Sequence, residues 1–165
     1  MEIRKALPED LPVVGDITRR TIQVVYPSYY PAGVVDFFLD WHRDEAILPD
    51  IQAGEVYLLW AGSEAVGTVT LHKDEITRLY VPRARQGRGY GRALLDFAEK
   101  AIGEKYGRIR LEASLPAAAL YWKRGYRVVD MLTEKQPSGD VLCWDVMEKA
   151  WDKQPIKGES RIERQ

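Results

Sequence analysis

The period of the apolar residues changes once early in this chain, and the change limits the folds open to it. Ahead of residue 55, apolar positions recur every three or four residues. Leu11, Val14, Ile17 and Thr21 predict a helix that starts in Pro8-Glu9-Asp10, where proline and acids suit a first turn, and runs to about Val25. Val35, Phe38 and Leu39 predict a second helix over 34–42. From Val56 the period is two. Val56–Trp60 and Ala65–Leu71 flank the turn Ala61-Gly62-Ser63-Glu64, so 55–72 is predicted to be a hairpin, with Ile76–Val81 a third strand. An alternating strand has one face to bury and a striped helix one side, so the two helices have to cover a sheet that they precede.

The rest of the chain extends the pattern. Residues 2–6 alternate and predict a first strand. "YPSYYPAG" (26–33) breaks the first helix, and 48–54 reads as loop or a last helical turn. Leu94, Leu95, Ala98, Ala101 and Ile102 mark a helix closed by Gly107. Ile109–Ala113 is a strand, Ala117–Lys123 a short helix ended by Gly125, and 126–131 and 141–147 are the last two strands. The order β, α, α, β, β, β, α, β, α, β, β is an α/β class chain, an α+β sandwich with a mixed sheet, too strand-rich for a doubly wound fold. Its 165 residues suit one domain, expected over 1–148, followed by a charged tail over 149–165 that is either solvated or docked on the domain through Trp151.

Composition excludes several classes. With 45% hydrophobic and 30% charged residues the chain can build a core and is not globally disordered. Its 24 basic and 25 acidic residues give no electrostatic case for nucleic acid as a partner. Cys143 is the one cysteine, so no intrachain disulfide forms; in "VLCWDVM" it reads as a core thiol. The N-terminal "MEIRKALPEDLPVV" lacks a signal-peptide core, and no apolar run approaches the roughly 20 residues of a membrane span. A cytoplasmic protein without a membrane partner is expected. No H-E-x-x-H, C-x-x-C or G-x-S-x-G string occurs, so neither a metal nor a hydrolase site is expected.

"ARQGRGYGRALLDFAEK" (84–100) sets glycines 87, 89 and 91 at the doorstep of a helix, although glycine costs roughly 1 kcal/mol in a helix interior. Anion binding explains them, and three patterns compete. The P-loop string is absent. The dinucleotide fingerprint fails at Arg92 or at Leu94, according to the glycine it is started from. Gln86-Gly87-Arg88-Gly89-Tyr90-Gly91 fits [RQ]-x-x-G-x-[GA]. There the missing Cβ atoms let the backbone approach a pyrophosphate, and the loop N–H groups, the helix N-terminus, Arg88 and Arg92 face the anion.

With a second motif, "SLPAAALYWKRGY" (114–126), the chain resembles the GNAT superfamily of acetyl-CoA-dependent N-acetyltransferases over about residues 2–148. Such proteins typically show Asn-x-x-Ala-x-x-x-Tyr-x-x-x-Gly-[Phe/Tyr] here. This chain supplies Ala117, Tyr121, Gly125 and Tyr126, with Ser114 in place of asparagine. The resemblance implies a GNAT fold, a mixed, mostly antiparallel sheet of about seven strands with flanking helices. It implies acetyl-CoA as cosubstrate, with the pantetheine slotted between the strands at 76–81 and 109–113. There it would meet backbone near Leu79 and Val81 and the shorter reach of Ser114, with the pyrophosphate on 86–92. The partners implied are acetyl-CoA and an amine acceptor, with room for a homodimer.

An amine that attacks a thioester must be neutral, and the departing thiolate needs a proton. A tyrosine, pKa about 10, is protonated at neutral pH and can donate. By the resemblance Tyr121 stands where the family often has its general acid; otherwise it is a packed helix tyrosine. Glu75 opens the third predicted strand at the spacing of a glutamate base in some members, or it is a surface residue of the "HKDE" turn. His72 is a rival base at a strand end, and His42 reads as a helix-surface residue. The loop between the first two helices lines the acceptor mouth in this architecture, so Tyr29 and Tyr30 form either an aromatic rim for the amine or packing for the helix pair. The alternative to an enzyme is an acyl-CoA-binding sensor or interaction module of the same fold; Tyr121 favours the enzyme.

Overall fold

The structure, a computed structural model, describes residues 1–152. Seven strands form one sheet: β1 (Glu2–Lys5), β2 (Val56–Ala61), β3 (Glu64–His72), β4 (Glu75–Tyr80), β5 (Arg108–Ala113), β6 (Arg127–Lys135) and β7 (Val141–Ala150), in the order β1-β2-β3-β4-β5-β7-β6. The helices are α1 (Leu11–Val25), α2 (Ala32–Trp41), α3 (Asp44–Gln52), α4 (Tyr90–Tyr106) and α5 (Leu115–Lys123). Every neighbouring pair of strands is antiparallel except β4 and β5. A parallel pair needs a crossover, and α4 supplies it. This is the α+β sandwich with a mixed, mostly antiparallel sheet that the sequence predicts.

The sheet buries both faces. On one, α4 and Tyr121 of α5 pack on Leu59, Val66, Val69, Ile76, Ile109, Leu111 and Met147. Here α4 comes close to the sheet over Gly67, where a Cβ would stand 2.8 Å from Leu94 Cδ1 and 3.1 Å from the Tyr80 carbonyl oxygen. On the other, α1, α2 and α3 pack on Val56, Leu58, Tyr80 and Leu142. Ile76 pairs with Leu71 and Arg78 with Thr70, so Thr77 is an extra residue, a β-bulge. A bulge reverses the alternation. Ile76 therefore faces α4, while Tyr80 joins the cluster under α1–α3.

Three readings change. Residues 44–52 are a full helix, where 48–54 read as loop or a last helical turn. Pro49 signals a break, but Asp44 and Glu45 suit the first turn, and Ile47 and Ile51, one turn apart, are buried. Cys143 is exposed, because Leu142 and Trp144 on either side of it point inward. The last strand continues to Ala150, and Trp151 packs on the α4 side with its N–H donating to the Gly107 carbonyl at 2.9 Å. The expected tail from residue 153 lies outside the described residues. Among the described residues no helix is long and apolar enough to cross a membrane.

Candidate active site

β4 and β5 pair only at Glu75–Arg110 and Ile76–Leu111. Beyond Ile76 the two strands part, which leaves the β5-facing edge of residues 77–80 without a strand partner. The split opens into a cleft of about 380 Å³. Ile76–Tyr80, Glu112, Ser114, Ala117 and Tyr121 line it on the strand and α5 side. Tyr26, Phe37, Phe38, Trp41 and His42 line it from the helical side, with Glu134, Leu142 and Trp144 from β6 and β7.

The glycine stretch lies at the C-terminal end of β4. Gly87 and Gly89 have φ of 76° and 86°, in the left-handed region, and Gly89 is the N-cap of α4. Residues with a Cβ rarely adopt that conformation, so the glycines let the chain turn sharply into the helix and aim its first N–H groups outward. A Cβ at either glycine would meet no atom within 4 Å, which is open space for an anion. Arg88 and Arg92 are exposed. The Gln86 side-chain N–H donates to the Val81 carbonyl at 2.9 Å, which ties the loop to the strand end. The parted strands and this loop fit an extended pantetheine arm with a diphosphate.

The other expected residues separate. Tyr121 reaches the cleft from α5 at 6% exposure, and burial pushes its phenol far above the ordinary pKa, so it is present as a donor. Ser114 is the N-cap residue of α5, its hydroxyl not spent on the cap. Glu75 sits half-buried at the closed end of the split, opposite Arg110, and does not line the cleft. Burial and then the Glu112 carboxylate raise its pKa. Tyr30 is buried against Tyr26 and Phe38, and its hydroxyl accepts the Leu115 N–H at 2.7 Å, which fixes the start of α5. Tyr29 is exposed. Neither lines the cleft; from the same turn Tyr26 does. His72 is exposed beside Glu55, with Nδ1 2.9 Å from its carboxylate.

His42, expected on the helix surface, is 5% exposed and faces the cleft. Its Nδ1 lies 2.7 Å from the Phe38 carbonyl oxygen and its Nε2 3.3 Å from the Tyr80 hydroxyl. The sequence did carry a signal: 35, 38 and 42 fall on one helical stripe. Burial lowers its pKa from 6.5 to about 4, against the opposing hydrogen bond to Phe38. Nearby Arg78, held by Asp50 of α3, lowers it further. Between those two values the unfolded chain binds more protons at His42 than the folded one, so stability should fall as pH falls through this window. The loss is on the order of 3 kcal/mol. Melting curves of the parent and His42→Gln from pH 7 to 4.5 check this: the variant should lose less stability on acidification.

Comparison with known proteins gives a consistent result. The family model described as an acetyltransferase (GNAT) domain matches residues 25–139. No curated protein matches the sequence. Among solved structures, a GCN5-related N-acetyltransferase from Rhodopseudomonas palustris is similar at 28% identity and a TM-score of 0.81, over 90% of this chain and 94% of that one. The PaiA N-acetyltransferase from Thermoplasma acidophilum, solved with coenzyme A, has 23% identity and a TM-score of 0.71 over 91% and 98%. The ribosomal-protein-S18-alanine N-acetyltransferase from Escherichia coli has 17% identity and a TM-score of 0.66 over 96% and 99%; these last two carry the fold alone.

Proposed function

The chain belongs to the GNAT acetyltransferase family, and we propose that it moves acetyl from acetyl-CoA to a primary amine by direct attack, with Tyr121 as the acid that protonates the departing thiolate. The observation that carries this reading is the split between β4 and β5 beyond Ile76, with the glycine loop at its outer end and a cleft at its inner end. The pantetheine lies along the edge near Leu79 and Val81 and within reach of Ser114. The diphosphate rests on 86–92. The amine enters from the opposite side, under α2.

That entrance has a chemical character. Phe37, Phe38, Trp41 and Trp144 supply aromatic wall, and Glu112 and Glu134 supply carboxylates. Neither carboxylate has an ion pair among the described residues. Aromatic faces and carboxylates together attract an ammonium group carried on an apolar body. The acceptor is therefore a cationic primary amine, which loses its extra proton before attack because the lysine-type pKa is about 10.4.

Thiol release from acetyl-CoA with a panel of amines tests the proposal. Release that depends on the amine supports it. Tight CoA binding with no release for any amine favours the binding-module alternative. Trp41 is 63% exposed, so its removal should not disturb the core. Trp41→Ala should raise the amine KM about five- to thirtyfold, in line with an aromatic contact residue, with acetyl-CoA affinity near the parent's. Steady-state kinetics with each substrate varied in turn reads both values.

A further inference from the structure

We propose that the Tyr80 hydroxyl takes the proton given up by the attacking amine, and that His42 behind it receives the Tyr80 proton in transit to solvent. This rests on the acetyl-transfer reading above. The argument begins at the Phe38 carbonyl, which can only accept. His42 Nδ1, 2.7 Å away, must therefore carry hydrogen, and the neutral ring leaves Nε2 with a lone pair. The Tyr80 hydroxyl, 3.3 Å from Nε2, then has to donate to it. With its one proton committed to His42, the Tyr80 oxygen offers only lone pairs to the cleft that both residues line. It is poised to accept an N–H.

The surroundings keep this orientation. The His42 ring stands edge-on to the Tyr80 ring at 5.6 Å between centroids and is stacked on Phe38. The charged group facing it from β4 is Arg78, paired to Asp50 of α3, so no carboxylate stabilises a resting imidazolium. Beyond Tyr80, Tyr26 and Ser114 line the same cleft toward the start of α5. Burial keeps His42 neutral at physiological pH and so able to accept.

The step balances. The amine nitrogen bonds to the acetyl carbon of acetyl-CoA, and the carbon–sulfur bond breaks. The N–H proton passes to the Tyr80 oxygen as the Tyr80 proton passes to His42 Nε2. The sulfur takes its proton from Tyr121. The imidazolium then returns a proton through Tyr80 to cleft water, and water reprotonates Tyr121. The products are the amide and the CoA thiol, with the protein restored.

Hydroxylamine, an amine already neutral at physiological pH, is the acceptor for the test, with acetyl-CoA as donor and thiol release followed from pH 6 to 9. The parent rate should be level above pH 7. Tyr80→Phe keeps the ring; its kcat should fall about 10²-fold at pH 7, and the remaining rate should climb with hydroxide, because solvent then takes the proton. Acetyl-CoA affinity by calorimetry should not move. His42→Gln still accepts from Tyr80 but cannot hold a proton, so it should share the rising profile. In the parent, ¹⁵N shifts of His42 should show Nδ1 protonated and Nε2 bare between pH 6 and 8. An active parent whose Tyr80→Phe variant keeps its rate and a level profile overturns the inference alone, as does the opposite tautomer. His42→Gln at the parent rate and with a level profile overturns the part given to His42. A parent that releases no thiol with hydroxylamine or with any amine of the panel overturns the transferase reading and this inference with it.

Discussion

Tyr121→Phe should lower kcat by about 10²–10⁴-fold, the usual worth of a general acid, and leave acetyl-CoA affinity near the parent's. Tyr121 lines the cleft from α5, four residues after Ala117 and four before Gly125. Its ring packs edge-on against Tyr126 at 5.5 Å, so its direction is fixed before any substrate arrives. Burial raises its pKa, which on its own makes a weaker acid. A thiolate leaving beside the buried Tyr121 is desolvated by the same walls, and its own hold on a proton rises in step. The interaction lost with the hydroxyl belongs to the transition state, so kcat should fall while acetyl-CoA binding stays. Steady-state kinetics beside a melting curve measures both. A folded Tyr121→Phe protein with undiminished kcat would assign the thiolate's proton to water and return Tyr121 to the packed aromatics.

Gly89→Val should weaken CoA binding about ten- to hundredfold, with Gly89→Ala in between. In the free protein a Cβ at this position touches nothing, so a steric clash is not the cause. The φ of 86° is. A β-branched residue held there is strained by about 1–3 kcal/mol. The free loop can relax into another conformation, and CoA then has to restore the strained one, which reduces the apparent affinity by the fraction of protein still competent. Calorimetry of CoA against the three proteins provides the comparison. Equal affinities would remove the pyrophosphate from residues 86–92.

Much of the architecture is legible without coordinates because it depends on neighbours in the chain. Hydrophobic period marks helices and strands, and the hairpin at 55–72 and the helix behind the glycines follow from spacing over a few residues. The glycine loop was legible for the same reason, since left-handed φ at 87 and 89 is a local demand that glycine meets. Tyr121 was reachable through a motif of fixed spacing. Pro49 misled because a local break signal was outweighed by the burial of Ile47 and Ile51, which depends on what α3 packs against.

The helical side of the cleft depended on distance in space rather than in sequence. His42 and Tyr80 are 38 positions apart, and Tyr30 meets Leu115 across 85. The turn 26–31 offers three tyrosines, of which the fold sends Tyr26 into the cleft, buries Tyr30 under α5 and leaves Tyr29 in solvent. The bulge at Thr77 decides that Arg78 and Tyr80 face α2 and α3, and one skipped residue reverses every side chain beyond it. Sequence alone determined the order of the strands and of the helices other than α3, and the glycine turn ahead of α4, because these are written in contiguous residues. Tertiary structure alone decided which side chains line the cleft under α2, because α2 is laid over a strand from a different part of the chain, and only that packing buries a histidine and leaves it a tyrosine for a partner.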